Sequence, residues 1–502
     1  MSPSNTNAVT RYRSRRASNT GVAFNKLPAE LTQMIADNLG DEDLRAFNAT
    51  CVATYGPLQD PTFWRVRFLG TFDDPRQTGQ LLPRAGWQKA YQVRQAYLSP
   101  PTRFNANAAA DNNQTMLIHA LRAVITQATP KSSNGGSKNL QRLAEFAQTS
   151  PTMAELYMMP SERQMSSHPA VNSSAVRNVK RDYYAVILCL ASHLLSLNWF
   201  TGCSIYGFPE SQKFVYASVA QAPVFDANGS VNLEWCAHVL NFFRMHITDN
   251  KHQTLYNSYS HLNDDEIPQM TNQKLTNDMP LAKVWKGSYA FIDRDECDRS
   301  RQLKPRTEDY ADQNLDNEEP IQTMKLFRPS SQRCNDFNHA IFEHVLNSFG
   351  TSSAILPPQS QPQHFGPGPA RQQPQHFGPP RAKKMHHAGS YPIEGLGWDD
   401  EEFYCTGYVN PLPPQRGIPG WKRMTMMKYF IDQWGQINTG ALWAYEGVVL
   451  PGSQMVLGRW WSHEGVPLDQ QYSGPFILWG VDASWDPTEA AWCGDHRGLA
   501  PA

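Results

Sequence analysis

Residues 24–70 read FNKLPAELTQMIADNLGDEDLRAFNATCVATYGPLQDPTFWRVRFLG, and this stretch spells out three short helices. Pro28 suits a first helical turn, where its missing N–H has no intrahelical partner. Leu31, Met34, Ile35 and Leu39 follow at i, i+3, i+4 and i+8 before Gly40 supplies a stop. Asp41 can cap a second helix with Leu44, Phe47 and Cys51 on one side, ended by Gly56-Pro57. Asp60-Pro61 repeats the cap-then-proline start and leads into Phe63, Trp64, Val66 and Phe68 before Gly70. Units of fewer than roughly 60 residues bury too little surface to stand alone. The trio is therefore expected to lean on the rest of the chain or on another protein.

Outward from this segment, the bulk properties bound the reading. The chain has 502 residues, 40% hydrophobic and 18% charged, which is enough for two or three cores. A net charge of −1 gives no global field for nucleic acid or an acidic membrane surface, and neither is expected as a partner. The cysteines, Cys51, Cys189, Cys203, Cys236, Cys297, Cys334, Cys405 and Cys493, are scattered and form no CxxC pair. Zinc ribbons and RING modules need such pairs, so a reduced intracellular setting, cytoplasm or nucleus, is the simplest account. The apolar run Tyr183 to Phe200 contains Ser192, His193, Ser196 and Asn198 and reads as a buried core helix rather than a membrane span.

Composition divides the remainder. Residues 1–23 are rich in Ser, Asn, Thr and Arg and read as a disordered basic tail. Helices are expected at 115–127 (Leu117, Leu121, Val124, Ile125) and 140–148, as scaffold within a helical region 71–200. A helix over 232–245 would present Leu233, Ala237, Leu240 and Phe243 on one face, while 284–292 (VWKGSYAFI) alternates as a half-buried strand does. The polar stretches 250–280 and 302–320 read as surface loops. Residues 355–390 repeat PQHFGP in a Pro/Gln/Gly tract that packs neither as helix nor as sheet, a flexible insert separating 201–354 from 391–502. Strand signal concentrates in 442–449, 454–461 and 475–481. Leu450-Pro451-Gly452-Ser453 places proline and glycine where a type II turn wants them.

The 24–70 segment resembles the F-box, as shown by Leu27-Pro28, Glu30-Leu31, Ile35, Leu39, Asp43-Leu44, Cys51, Asp60-Pro61 and Trp64-Arg65. The basic pair usual after the central cysteine is Val52-Ala53 here, and the following aromatic appears as Tyr55. The C-terminal part is similar to the tail region of many fungal F-box proteins, through Gly417 to Trp421, Arg423-Met424-Thr425, Lys428-Tyr429-Phe430, Tyr445-Glu446-Gly447, Leu450-Pro451-Gly452, Gly458 to Trp461 and Tyr472 to Phe476. The Trp285 to Tyr289 stretch resembles the same region.

The resemblance implies an α+β chain: an N-terminal three-helix F-box with following helices, then a mostly antiparallel, β-rich C-terminal domain of barrel or sandwich type. It implies docking onto a Skp-type adaptor, and through it a cullin, by Leu27, Pro28, Leu31, Ile35, Leu39, Leu44 and Trp64. The chain would then be the non-catalytic substrate receptor of a ubiquitin ligase, or an F-box scaffold working outside a cullin complex, with no cofactor or metal. Adjacent Trp460 and Trp461 must point to opposite faces of a strand. An indole left uncovered beside Arg459 would make an anchor for an unidentified protein substrate; the alternative, which is the cheaper one, buries both, one in the sheet core and one beneath a loop or the helical half. HExxH, GxSxG and GxxxxGK[ST] signatures are absent. The remaining enzyme reading is a site built on the C-terminal domain, with His463-Glu464 and Asp482 as its nearest acid–base groups, which polar turns explain more cheaply.

Overall fold

The computed structural model describes residues 26–98, 112–129, 136–149, 174–197, 208–226, 230–248, 253–268, 280–302, 312–316, 320–328, 390–398, 401–462 and 470–481. The N-terminal tail, nearly all of the 355–390 tract, His463, Glu464 and Asp482 lie outside them. The chain divides into two compact units, Met1–Ala96 and Tyr97–Ala502.

Unit one holds α1 (Ala29–Asp37), α2 (Asp41–Thr50), α3 (Val52–Tyr55), α4 (Pro61–Thr71) and α5 (Gly86–Tyr97). The caps of α1 and α4 fall where the sequence places them, but Asp41 does not cap α2: Gly40 holds the cap position and Asp41 is the first helical residue, its carboxylate taken by Arg67 instead. Pro28 precedes α1, and the Asp60 side chain accepts the Thr62 N–H at the start of α4. Cys51 opens α3, whose Thr54 Oγ1 accepts the Cys51 N–H. What the trio leans on is α5. The Trp87 ring meets Phe68 edge-on at 5.2 Å and Tyr91 lies 5.8 Å from Trp64, while the Arg94 guanidinium sits 4.7 Å over Phe68. These aromatics form the unit's core.

Unit two combines helices with a closed barrel. Its helices are α6 (Asn112–Thr126), α7 (Lys138–Thr149), α8 (Ser174–Cys189), α9 (Ala191–Leu194), α10 (Phe208–Val215), α11 (Leu233–Thr248), α12 (Gln253–Ser260) and α13 (Arg294–Gln302). The described part of the Tyr183 to Phe200 run is split between α8 and α9, which ends at Leu194, and none of the described helices is long and apolar enough to cross a membrane. The expected one-sided helix at 232–245 is instead buried nearly all round, because α8, α10, α12 and the barrel all pack on it. Buried polar groups knit this layer. Asn241 Nδ2 donates to Ser211 Oγ at 2.7 Å, and Ser211 Oγ lies 3.2 Å from His238 Nδ1.

Two expected surface loops turn out otherwise. The stretch 250–280 contains α12, with Leu255 and Tyr259 buried and Tyr259 edge-on to Trp479. Within 302–320, Asp312 is buried, accepting hydrogen bonds from Gln212 Nε2 at 2.9 Å and Tyr216 Oη at 2.5 Å and lying 3.0 Å from His246 Nε2. An acidic run reads as solvated surface in sequence. The polar partners that permit burial come from α10 and α11, about a hundred residues upstream for the most distant.

The strands are β1 (Val284–Tyr289), β2 (Gln322–Phe327), β3 (Tyr391–Trp398), β4 (Glu402–Pro411), β5 (Lys422–Tyr429), β6 (Trp443–Val449), β7 (Met455–Ser462) and β8 (Ser473–Val481). Each pairs antiparallel with its sequence neighbours, and β1 closes on β8 from Val284↔Val481 to Tyr289↔Phe476. The barrel alternative is the one adopted, and closure leaves no free sheet edge. The β6–β7 connection is the expected turn: Gly452 takes φ +97° and the Ser453 N–H donates to the Leu450 carbonyl at 3.0 Å.

Trp285, Met324, Ile393, Phe403, Met426, Tyr445, Trp460 and Phe476 belong to the cluster that fills the barrel. Glycine makes room for it. Gly447 and Gly458 face each other across β6 and β7, and a Cβ on Gly458 would lie 2.4 Å from the Phe476 ring. On β5 to β8 nearly every residue is buried, outer face included, so the alternation that marks a half-exposed strand is missing there.

Candidate functional site

The periodicity of α1 makes Leu31, Met34 and Ile35 its apolar face, and a helix of a small unit ordinarily buries that face. Here it does the reverse. Thr32 and Ala36 are buried, two small residues that let α1 sit close to its neighbours. The large side chains point outward: Leu31 is 44% exposed, Met34 62% and Ile35 40%, and on α3 Val52 is 80% and Tyr55 51% exposed. Gln33 Nε2 donates to the Pro57 carbonyl at 2.8 Å and so ties α1 to the turn that follows α3.

A polar network fixes the angle at which α1 is held. Arg67 on α4 is buried and its guanidinium caps the C-terminal end of α1. Nη1 donates to the Ala36 carbonyl at 3.1 Å, and Nη2 to the Leu39 carbonyl at 2.7 Å and to Asp41 Oδ1 at 3.0 Å. Within the backbone the Ala36 carbonyl takes the Leu39 N–H at 3.2 Å, from the turn that ends α1, and a cation suits that end of the helix dipole. Tyr91 Oη and Gln95 Nε2 complete the Asp41 carboxylate at 2.8 Å each.

Burial alone would raise the Asp41 carboxyl, but the hydrogen bonds from Arg67, Tyr91 and Gln95 outweigh it and hold it below the ordinary aspartate value. A depressed carboxylate contributes stability that is present above its unfolded pKa and is lost as pH falls through the folded one. Unit one should therefore loosen on acidification below about pH 4. Fluorescence of Trp64 and Trp87 followed against pH checks this. Asp41→Asn should lower stability at neutral pH and flatten the acid limb; an unchanged acid limb in that variant would refute the assignment.

The residues singled out from sequence divide sharply. In the adaptor-docking set, Pro28, Leu31 and Ile35 are exposed, Leu27 and Leu39 are partly buried, and Leu44 and Trp64 are buried. Leu44 and Trp64 are therefore corrected from contact residues to core residues. The Trp64 indole N–H is spent on the Leu58 carbonyl at 2.7 Å, and its ring packs on Phe63 and Tyr91. Met34, Val52 and Tyr55 take their place on the exposed face. The 3.6-residue spacing already put Met34 there, whereas Val52 and Tyr55 belong to no apolar periodicity and stand out in the sequence only as positions of the family resemblance.

Arg459, Trp460 and Trp461 are all buried, so the anchor reading of these residues is corrected and the alternative that covers both indoles is the one adopted. Trp460 enters the barrel, meets Trp443 and Tyr472 edge-on at 5.4 Å each, and donates its N–H to the Ala290 carbonyl at 3.1 Å. Trp461 packs on the outer wall with Met427, Tyr429, Leu442 and Ala444. Among the described residues of unit two, the exposed indoles are Trp398, 58% exposed at the end of β3, and Trp434, 74% exposed in the connection between β5 and β6. Both lie at the same end of the barrel, where β3 turns into β4 and β5 leaves the sheet. Trp434 rides on an ordered turn in which Asp432 Oδ1 accepts the N–H groups of Trp434 at 2.9 Å and Gln436 at 2.8 Å.

Among the described residues, Cys51, Cys189, Cys236, Cys297 and Cys405 are free thiols, and no group of three His, Cys, Asp or Glu is placed to hold a metal. Compared with family models, with curated proteins and with solved structures, the chain gives no match. Its functional reading rests on the exposed apolar face of unit one and the display of indoles on unit two.

Proposed function

We propose that this chain is the substrate receptor of a ubiquitin ligase of the Skp–cullin–F-box type. Unit one docks onto the adaptor through Leu31, Met34, Ile35 and their neighbours. Unit two offers the barrel end bearing Trp398 and Trp434 to the protein that is to be ubiquitinated. The chain contributes no catalysis of its own; it holds the target near the ligase.

The observation that carries the reading is the inversion of α1, which buries Thr32 and Ala36 and turns out Leu31, Met34 and Ile35. Large apolar side chains grouped on one helix face are what a helix-mediated protein interface needs, and covering each is worth about 1.5–3 kcal/mol. The F-box resemblance of residues 24–70 says what covers them. Affinity capture of the full-length chain is expected to bring down the adaptor together with a cullin. Adaptor without cullin would favour the scaffold reading, and neither would defeat the proposal.

A further inference from the structure

Outside unit one, a group of buried donors stands against the outer wall of β7 and β8. Arg459 is wholly buried, anchored by Nη1 to the Ala222 carbonyl at 2.8 Å, with its guanidinium 4.7 Å over the Trp235 ring of α11. Its Nε and Nη2 have no hydrogen-bond partner. Those two N–H groups lie along one edge of the guanidinium and point the same way, as the fork that takes a carboxylate or another anion side-on.

Arg301 of α13 is close enough to act on Arg459 electrostatically. Its Nε donates to the Tyr216 carbonyl at 3.0 Å and its Nη2 to Ser473 Oγ at 2.9 Å, but Nη1 makes no hydrogen bond and has only the half-exposed Asp298 at 3.8 Å. The buried Trp235 indole N–H is also without a partner. Glu446, the carboxylate across the β6–β7 ladder from Arg459, is committed to Arg423, whose Nε donates to it at 2.7 Å.

We propose that the Arg459 fork, with Arg301 and Trp235 beside it, binds a small anion, a halide or a carboxylate-sized ion, inside unit two. The unpartnered atoms on these three residues are all donors. A water molecule would bring two further hydrogens in need of acceptors, whereas an anion only accepts. Arginine does not shed its proton in proteins, so burying it calls for a negative charge rather than neutralisation. Burial, and then Arg301, bring the Arg459 pKa down to about 9 in spite of the opposing charge of Glu446, the direction expected where positive charge is only partly compensated.

The test uses the full-length chain, melted at constant ionic strength while a bulky anion, isethionate, is replaced by bromide or, separately, by formate. The wild type should gain roughly 3–5 °C per tenfold increase of a bound ion once above its dissociation constant. Arg459→Met, which keeps the stem and removes the fork, should melt at or above the wild type without the ion and should show no such gain. If that variant does not fold, Arg301→Met serves, with the expectation of a weakened response. Arg76→Met, an exposed change in unit one, controls for general salt effects. A bromide anomalous peak against the Arg459 fork in a crystal would supply the direct reading. A response to one ion and not the other selects between halide and carboxylate. A wild type indifferent to both, a full response retained in Arg459→Met, or a bromide-soaked crystal with no peak at the fork would overturn the proposal.

Discussion

Replacing Leu31 and Ile35 together by Asp is expected to leave the full-length chain folded and to abolish capture of the adaptor. Both side chains face outward, so two carboxylates there cost the free chain little. In a complex they would be forced against an apolar surface at roughly 2 kcal/mol or more each, which together weakens binding by about a thousandfold. Trp64→Ala is the contrasting change. It empties part of unit one's own core and leaves the Leu58 carbonyl without its donor, at about 3–5 kcal/mol, and so should lose the adaptor only by losing the fold. Circular dichroism beside the capture experiment separates the two. A folded double mutant that binds the adaptor undiminished would refute the docking assignment.

The second large effect is expected in the barrel. Trp460→Ala removes a side chain that touches Trp443 and Tyr472 and bonds to Ala290, and should destabilise unit two by about 3–5 kcal/mol. Trp434→Ala should leave the melting temperature within a degree or so, because a surface residue is seldom worth more than ~0.5 kcal/mol to the fold. If the barrel end recognises the target, Trp434→Ala keeps the adaptor and loses captured partners. Retention of every partner by a folded Trp434→Ala variant would exclude that indole as an anchor. A Trp460→Ala variant as stable as the wild type would show that the ring is not part of the core.

Local rules carried the caps and the turns. Pro28, Asp60-Pro61 and the Leu450 to Ser453 turn act through neighbours a few residues away, so their effect is written in the chain itself. The strands at Trp443–Val449, Met455–Ser462 and Ser473–Val481 were legible for a related reason: β-branched and aromatic residues favour extended backbone wherever they pack. Closure was not legible. It depends on β1 meeting β8 across nearly two hundred residues, and β2 to β4 carry glycines and polar residues that look like loop until the barrel pairs them.

The candidate site divides along the same line. The sequence alone determined that α1 has an apolar face, since 3.6-residue spacing is a property of the helix. Which way that face points was decided by tertiary structure, through the small Thr32 and Ala36, the Gln33 tether and the Arg67 clamp reaching back from α4. In the barrel, the sequence determined that Trp460 and Trp461 point to opposite faces. What buries each was decided by tertiary structure: Trp460 by the side chains that fill the barrel, Trp461 by neighbouring strands and the β5–β6 connection, and Arg459 by α11 laid against the outer wall. Pleat and helical pitch fix relative directions along a segment. Burial depends on what the rest of the chain brings to each side, and these partners lie tens to hundreds of residues away.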